Sequence, residues 1–462
     1  MNSGVLTISY IFASIAFILG IKMMSAPATA RRGNLISSSG MLLAAIVTLL
    51  GKNIISYELI ALGVFCGAIL GVMAAYLVHM TAMPQMVALL NAFGGAASAL
   101  VAWDEFYIHF GNDISTVSLI GTYFAGGVGA LTFTGSLIAY AKLSEKMTGR
   151  PLIFRGYLAL NVFLLLTLII LGVIFCANFF PIHQYQIFLV VLILSLILGV
   201  LSTTPIGGAD MPVIISFHNS WSGIAACATG FVLLNQIVIV AGALVGVSGF
   251  VLARVMCKSM NRSFASVLLG GFGAHAGSNA QSDKQKQIST ISVNDAYLVL
   301  EAAQSVLIVP GYGMAVAQAQ HAIRELVELL EKNGAQVMFG IHPVAGRMPG
   351  HMNVLLAEAN INYDLLAGPQ TVNPTMETVD VCIVIGANDV VNLSARDEPN
   401  SSIFGMPIIE VDKAKTVFVL KRSLASGFAG IDNPLFYKPN VRFIFGDAKA
   451  SISALVEEFK QQ

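Results

Sequence analysis

The sequence predicts a multi-span α-helical membrane domain followed by a soluble α/β, Rossmann-like domain with a mostly parallel sheet. Three observations predict it. Apolar residues make up 56% of the 462-residue chain and charged residues only 11%, with a mean hydropathy of +0.77, far from the soluble norm. Charge is split unevenly: 10 Lys+Arg and 6 Asp+Glu precede residue 260, and 15 and 19 follow it. Beyond Ser259 the long apolar runs stop, and strand-like and helix-like segments of ordinary composition alternate.

Windows of about 20 apolar residues mark nine spans, near 5–24, 34–50, 57–78, 83–103, 115–141, 157–177, 186–203, 208–234 and 236–257. These make residues 1–260 the membrane domain; the Gly-, Ser- and Gln-rich stretch 261–290 reads as a linker and 291–462 as a soluble domain. Lys22, Arg31 and Arg32 border the first loop, Lys142, Lys146, Arg150 and Arg155 the fifth, and Arg254, Lys258 and Arg262 follow the last span. Loops of the other parity hold only Lys52, and the fourth contains Asp104, Glu105 and Asp113. Basic loops stay cytoplasmic, so the expectation is a bacterial inner membrane protein with a periplasmic N-terminus and a cytoplasmic C-terminal domain. The opening "MNSGVLTISY" lacks a basic n-region, so no removable signal peptide is expected. Cys66, Cys176, Cys227, Cys257 and Cys382 are scattered singly, which predicts reduced packing residues and no metal site. Gly63, Gly67 and Gly71, and again Gly242 and Gly246, recur at four-residue spacing and predict close helix packing.

In the soluble domain, "SVLIVPGYGMAVAQAQHAIRELVELLEKNGAQVMFGIHP" reads as a strand, a turn Gly311-x-Gly313-x-x-Val316, an amphipathic helix ended by Gly334, and a second strand over 337–341. The glycines permit a tight turn and close backbone approach, and a helix N-terminus there offers N–H groups to a pyrophosphate, so a dinucleotide site is expected. The acidic residue that would hold the ribose of NAD is missing, because the second strand runs into "FGIHPVAGR". "KTVFVL" ends instead in Lys421-Arg422-Ser423, two cations and a hydroxyl suited to a phosphate monoester, which points to NADP. "VIGAND" and "FGDAKAS" place Asn388, Asp389 and Asp447 at further strand ends, where turn formation and N-capping compete with ligand contact.

The segments "IGGADMP", "GYGMAVAQAQ", "FGIHPVAGRMPGHMNVLLAEA", "VIGAND", "FGMPIIEV", "KRS" and "NPLFYKPN" with "GDAKAS" resemble the β subunit of the proton-translocating nicotinamide nucleotide transhydrogenases, nearly end to end. The resemblance implies reversible hydride transfer from NADH to NADP⁺ coupled to inward proton movement. It implies NADP(H) on this chain, NAD(H) on a partner α subunit and an α2β2 assembly. It carries nucleotide contacts onto Tyr312, onto Val344, Ala345, Gly346, Arg347, Met348 and Pro349, with Arg347 against the pyrophosphate, and onto Gly386, Ala387, Asn388, Asp389 and Val390. Gly405, Met406, Lys421, Arg422, Ser423, Gly427, Phe428, Asp447 and Ala448 complete the set, and residues 427–436 would form a loop over the nucleotide, which in this family lies across the sheet in the reverse of the usual sense.

Asp210 matches the aspartate of the family's "GGADMP" and lies where burying a carboxylate is expensive; the expectation is that its ionisation is coupled to the state of bound NADP(H). Many family members carry histidine where this chain has Asn91, which can hydrogen-bond but cannot titrate; the membrane histidine is therefore expected on the partner subunit. His218 is the local rival, beside the family-like Asn219. Eight residues of helix place it roughly 12 Å beyond Asp210 and about 80° round the helix, so helix packing or a hydrogen bond to a neighbour is its plainer role. The alternative function is an ion transporter or channel subunit gated by a nucleotide-sensing Rossmann domain, although the sequence offers no ring of selectivity residues.

Overall fold

The computed structural model describes residues 3–51, 57–110, 114–149, 151–177, 179, 183–268, 288–401, 403–425, 427 and 430–461. Lys52, Asp113, Arg150, Phe428 and residues 269–287 of the expected linker lie outside them. The chain divides into two compact units, residues 1–206 with 214–253, and residues 207–213 with 254–462.

The first unit is helical. Long helices run over α1 Ser3–Met24, α2 Pro27–Gly51, α3 Tyr57–Leu77, α4 Met83–His109, α5 Thr116–Leu143, α6 Tyr157–Cys176, α7 Gln184–Thr203, α8 Met211–Val232 and α9 Gln236–Ser259. Eight of them are long and apolar enough to cross a membrane; the other, α8, has 22 residues. What separates α8 is its polar run His218-Asn219-Ser220, followed by Ser222. Two boundaries differ from the sequence reading. Helix α4 continues through Asp104 and Glu105 to His109, and α2 begins early enough to include Arg31 and Arg32. A helix continues across charged residues when its backbone stays paired and the side chains face water.

The small-residue spacing resolves into two outcomes. A Cβ at Gly242 would stand 2.3 Å from the backbone N of Cys227, and one at Gly223 2.2 Å from that of Gly246, so α8 and α9 touch backbone to backbone. Gly63, Gly67 and Gly71 have nothing within 4 Å, and α3 buries none of its residues.

The second unit carries short helix α10 Phe264–Leu268, then α11 Val293–Glu301, β1 Ser305–Pro310, α12 Tyr312–Ala317, α13 Gln320–Lys332, β2 Gln336–Gly340, α14 His351–Glu358, β3 Leu366–Ala367, α15 Pro369–Val372, β4 Val381–Ile385, α16 Ser394–Asp397, β5 Thr416–Lys421, β6 Val441–Phe445 and α17 Ala448–Gln461. The six strands form one sheet in the order β3-β2-β1-β4-β5-β6, every pairing parallel. The sequence explains this: β4 "VCIVI" is buried at all five positions, and strands covered on both faces read as continuous apolar runs. Helix α13 buries Ile323, Leu326, Val327 and Leu330, one face at helical spacing. It packs against α17, which buries Ile452, Leu455 and Val456. The end of the expected linker, residues 289–290, already runs beside β6, with Phe443 N–H donating to Ser289 O at 2.8 Å.

The single amphipathic helix expected after the glycine turn is two. Gln318 adopts a left-handed conformation (φ 49°) that ends α12, and α13 starts two residues later. Residues of good helix propensity do not announce such a break. Gly334 (φ 92°) ends α13 as expected.

Candidate functional site

In an open parallel sheet, ligands bind beyond the strands' carboxyl ends, at the point where the strand order reverses. Here that point lies between β1 and β4, whose last paired residues are Pro310 and Ile385. The turns that follow them lock together. Gly311 N–H donates to Ile385 O and Gly313 N–H to Gly386 O, both at 2.9 Å. A Cβ at Gly311 would lie 2.4 Å from the Cα of Ala387, and one at Gly313 2.6 Å from the Cα of Gly386. These glycines thus let two backbones meet, and their own N–H groups are engaged inside the protein. Val316, the third position of the motif, is half exposed on α12.

The loop after β2 holds Val344, Ala345, Gly346, Arg347, Met348 and Pro349, and two buried histidines fix its shape. His342 Nε2–H donates to Pro407 O at 2.6 Å while Nδ1 accepts from Val344 N–H at 3.3 Å. His351 Nδ1 accepts from Arg347 N–H at 3.0 Å. Accepting at Nδ1 requires a neutral ring protonated at Nε2. Gly346 (φ 104°) makes room, since a Cβ there would stand 2.6 Å from His351. The loop so shaped lays the Arg347 guanidinium over the Tyr312 ring, 4.2 Å from its centroid, bringing together two expected contacts from different strands. Neither histidine was singled out from the sequence; "IHP" and "GHM" carry no signal of a loop brace.

Burial pushes both histidines down to about 4, with the Arg347 charge adding to the effect on His351. The unfolded chain binds protons at these rings below about pH 6.5 and the folded chain does not. Their contribution to stability is therefore complete above about pH 6.5 and is lost as pH falls toward 4. Urea unfolding of fragment 291–462 should weaken steadily from pH 7 to 5, with about two protons taken up per molecule unfolded at pH 5; a flat profile would contradict the neutral-ring assignment.

After β4, Gly386 (φ 61°) turns the chain into Ala387, Asn388, Asp389 and Val390. Asn433, nearly fully buried, donates to Asn388 O at 3.2 Å and to its Oδ1 at 3.3 Å, and Asn392 Nδ2 donates to Asp432 O at 3.2 Å. Residues 432–433 are thereby pinned to the β4 turn. Gly427 faces the same turn: a Cβ there would come within 2.4 Å of Asp389 Oδ1 and 2.6 Å of Asn388 Nδ2. Lys421 Nζ donates to Ala425 O at 3.0 Å and stands 4.5 Å from the Phe436 ring centroid. Its partial burial lowers the ammonium's proton affinity, which Asp389 and Asp432 partly restore. Arg422 and Ser423 beside it are exposed. After β6, Asp447 Oδ1 accepts from Lys449 N–H at 3.0 Å and Ala450 N–H at 3.3 Å, capping α17 above the buried Ala448. Gly405 (φ 78°) and the buried Met406 follow Phe404, whose carbonyl accepts from Asn261 Nδ2 at 3.2 Å.

Asp210 ends a single 3-10 turn, Gly208–Asp210, and is buried. Its carboxylate is paired: Arg262 Nη1 donates to Oδ1 at 2.6 Å and Oδ2 at 2.7 Å. The sequence shows no basic residue near Asp210, and a partner 52 positions later leaves no local trace; Arg262 is the functional candidate that sequence reasoning missed.

In the helical unit, Asn91 Nδ2 donates to Ile215 O at 3.2 Å and its backbone carbonyl accepts from Ser222 Oγ at 3.0 Å, tying α4 to α8. Asn219 is half-buried on α8. His218 is buried, and the hydrogen bond to a neighbour is not found at its Nδ1, nor at Thr203 Oγ1 and Ser136 Oγ, among the described residues. Each such atom costs about 1–3 kcal/mol where nothing satisfies it.

The sequence model of the family described as NAD(P) transhydrogenase beta subunit matches residues 6–458. Two relatives from Rhodospirillum rubrum, each named NAD(P) transhydrogenase subunit beta and one of them from a defined strain, are 44% identical over 465 residues, covering 99% of this chain and 99% of the relative. With a match of this extent on a chain of apolar helices followed by a parallel dinucleotide-type sheet, the protein belongs to the NAD(P) transhydrogenase beta subunit family.

Proposed function

We propose that this chain is the NADP(H)-binding, proton-conducting half of a transhydrogenase, and that it works with an α subunit that binds NAD(H). The observation that carries the nucleotide assignment is the exposed pair Arg422–Ser423 at the carboxyl end of β5, beside the interlocked turns of β1 and β4. A ribose 2′-phosphate fits a guanidinium beside a hydroxyl, and no acidic residue at the end of β2 competes for that ribose. Tyr312 and Arg347 would meet the pyrophosphate; Gly386, Ala387, Asn388, Asp389 and Val390 would border the nucleotide; Lys421 would hold the loop beyond β5, including Gly427, against it. The bound nucleotide supplies the hydride chemistry, and the protein supplies orientation and timing.

Timing is the function assigned to Asp210 and Arg262. A partly buried pair, in which one Arg262 nitrogen bridges both oxygens of Asp210, has two discrete states, made and broken, and protonating the carboxylate removes the reason for the guanidinium to stay. A proton at Asp210 would thereby bias the unit that contains residues 207–213 and 254–462, the unit that also contains the nucleotide fold. The long helices α1–α9 support nine crossings, and the distribution of Lys and Arg supports a periplasmic start and a cytoplasmic nucleotide domain. The family and the paired carboxylate favour this reading over a nucleotide-gated channel.

Binding tests it. Fragment 291–462 should bind NADP(H) far more tightly than NAD(H). Arg422→Ala should weaken NADP(H) about 10- to 100-fold, the loss of a charge-assisted bond, and leave NAD(H) binding nearly unchanged. Equal loss for both nucleotides, by calorimetry, would remove the phosphate role.

A further inference from the structure

Gly135 on α5 borders an unusual combination of side chains. The point where a side chain at 135 would begin lies 2.9 Å from both Cε1 and Nε2 of His218 and 3.0 Å from Thr203 Oγ1. Histidine from α8 and hydroxyl from the end of α7 thus converge beside a residue of α5 that has no side chain of its own. His218 is 4% exposed and Thr203 1%. Ser136, the next residue of α5, is also fully buried, and among the described residues His218 Nδ1, Thr203 Oγ1 and Ser136 Oγ all have no hydrogen-bond partner in the protein. Three buried polar atoms contributed by three helices are too many for a packing defect, because buried polar groups are paired with protein or with water. Their donor and acceptor capacities match water, which both gives and takes hydrogen bonds.

We infer that α5, α7 and α8 enclose a water-binding site walled by Ser136, Thr203 and His218, and that His218 is the group through which a proton passes this part of the bundle. This deepens the transhydrogenase reading and rests on it. The ring gains a proton at the nitrogen bearing the lone pair, passes through imidazolium and releases one to a water or hydroxyl oxygen on the far side; no electrons move and the ring returns to neutrality. Asn91 cannot perform this step, and its amide is already committed to Ile215 O. The other ionisable groups are placed away from the ring's role. Lys142, seven residues beyond Gly135, donates to Thr204 O and to Ile206 O, the latter at 2.7 Å. Helix α7 carries no charged residue or histidine, and α8 carries no charged residue and no other histidine. Helix α4 has Asp104, Glu105 and His109 in its last two turns, and α9 has Arg254 and Lys258 in its own. Gly135 is then required sterically, since any side chain there would collide with the ring and the hydroxyl.

The test is made on the complete αβ complex in sealed vesicles, reading proton uptake with a pH-indicating dye alongside NADPH formation. Glutamine keeps hydrogen-bonding capacity but cannot titrate, so His218→Gln should lower protons moved per hydride by about tenfold or more and alter the pH profile of the coupled rate. Thr203→Val, which keeps volume and removes the hydroxyl, should lower the coupled rate several-fold, and Thr203→Ser should restore it. It remains informative where His218→Gln does not assemble. Pumping and pH profile unchanged in both His218→Gln and Thr203→Val would overturn the proposal while leaving the transhydrogenase reading intact. An unaltered complex that exchanges hydride without moving protons would overturn both.

Discussion

Asp210→Asn should abolish proton-coupled transhydrogenation in vesicles containing the complete complex. Asparagine preserves shape and one acceptor oxygen, but it removes the charge that holds the Arg262 guanidinium through two bonds of 2.6 and 2.7 Å. Removing one member of such a pair leaves the guanidinium, 35% exposed, without its partner and takes away the group whose protonation switches the pair. A coupling of the usual size, about 1–3 kcal/mol, is then lost, so the coupled rate should fall by up to about 150-fold. Arg262→Gln should reproduce the defect, and Arg262→Lys, which keeps charge but loses the planar fork, should retain part of the activity. Near-normal coupled turnover in Asp210→Asn would remove the ion pair from the mechanism.

Gly386→Ala should disable the nucleotide domain by a different route. The residue sits at φ 61°, and an added Cβ would stand 2.4 Å from the Cα of Gly313 and 2.6 Å from its carbonyl carbon and from Met314 N. All three are backbone atoms at the centre of the sheet's carboxyl edge and cannot swing aside. Overpacking of this kind costs about 1–3 kcal/mol, and the left-handed conformation adds about 1–3 more. For a domain of this size each kcal/mol lowers Tm by about 2–4 °C, so fragment 291–462 should melt roughly 10 °C lower and lose NADP(H) affinity. Gly334→Ala is the control: φ is 92° but nothing lies within 4 Å, so it should show only the conformational part. Equal effects at the two positions, in thermal melts, would show that backbone contact between the turns contributes nothing.

The fold was legible where one physical cause acts alone. Continuous apolar runs marked every strand but the two-residue β3 and most of the helices, and the glycines of "GYG" marked the turn after β1, because burial and backbone sterics are local properties of sequence. The sheet is parallel throughout, a little more regular than expected, because its central strands β1, β4 and β5 are covered on both faces. What escaped the sequence depends on pairs far apart in it. Arg262 became the partner of Asp210 only through folding, and it fell in a stretch that reads as linker. The interlocking of Gly311 and Gly313 with Gly386 and Ala387 changes what the glycine motif accomplishes, since N–H groups expected to face a ligand are used by the neighbouring turn. Asp447, for which capping and ligand contact competed on paper, caps α17. His342 and His351 brace a loop through tautomers that only their acceptors reveal.

The polarity of α8 has a consequence for how the chain is made. A segment interrupted by His218, Asn219 and Ser220 partitions poorly into lipid when it emerges alone, whereas α7 before it and α9 after it partition strongly. The contacts of Gly223 with Gly246 and of Cys227 with Gly242 give α8 a companion that arrives later in synthesis. The helix bearing the titratable ring therefore has to wait for α9, and integration of that hairpin is a step of biogenesis at which a lesion in either partner would be felt before any nucleotide is bound.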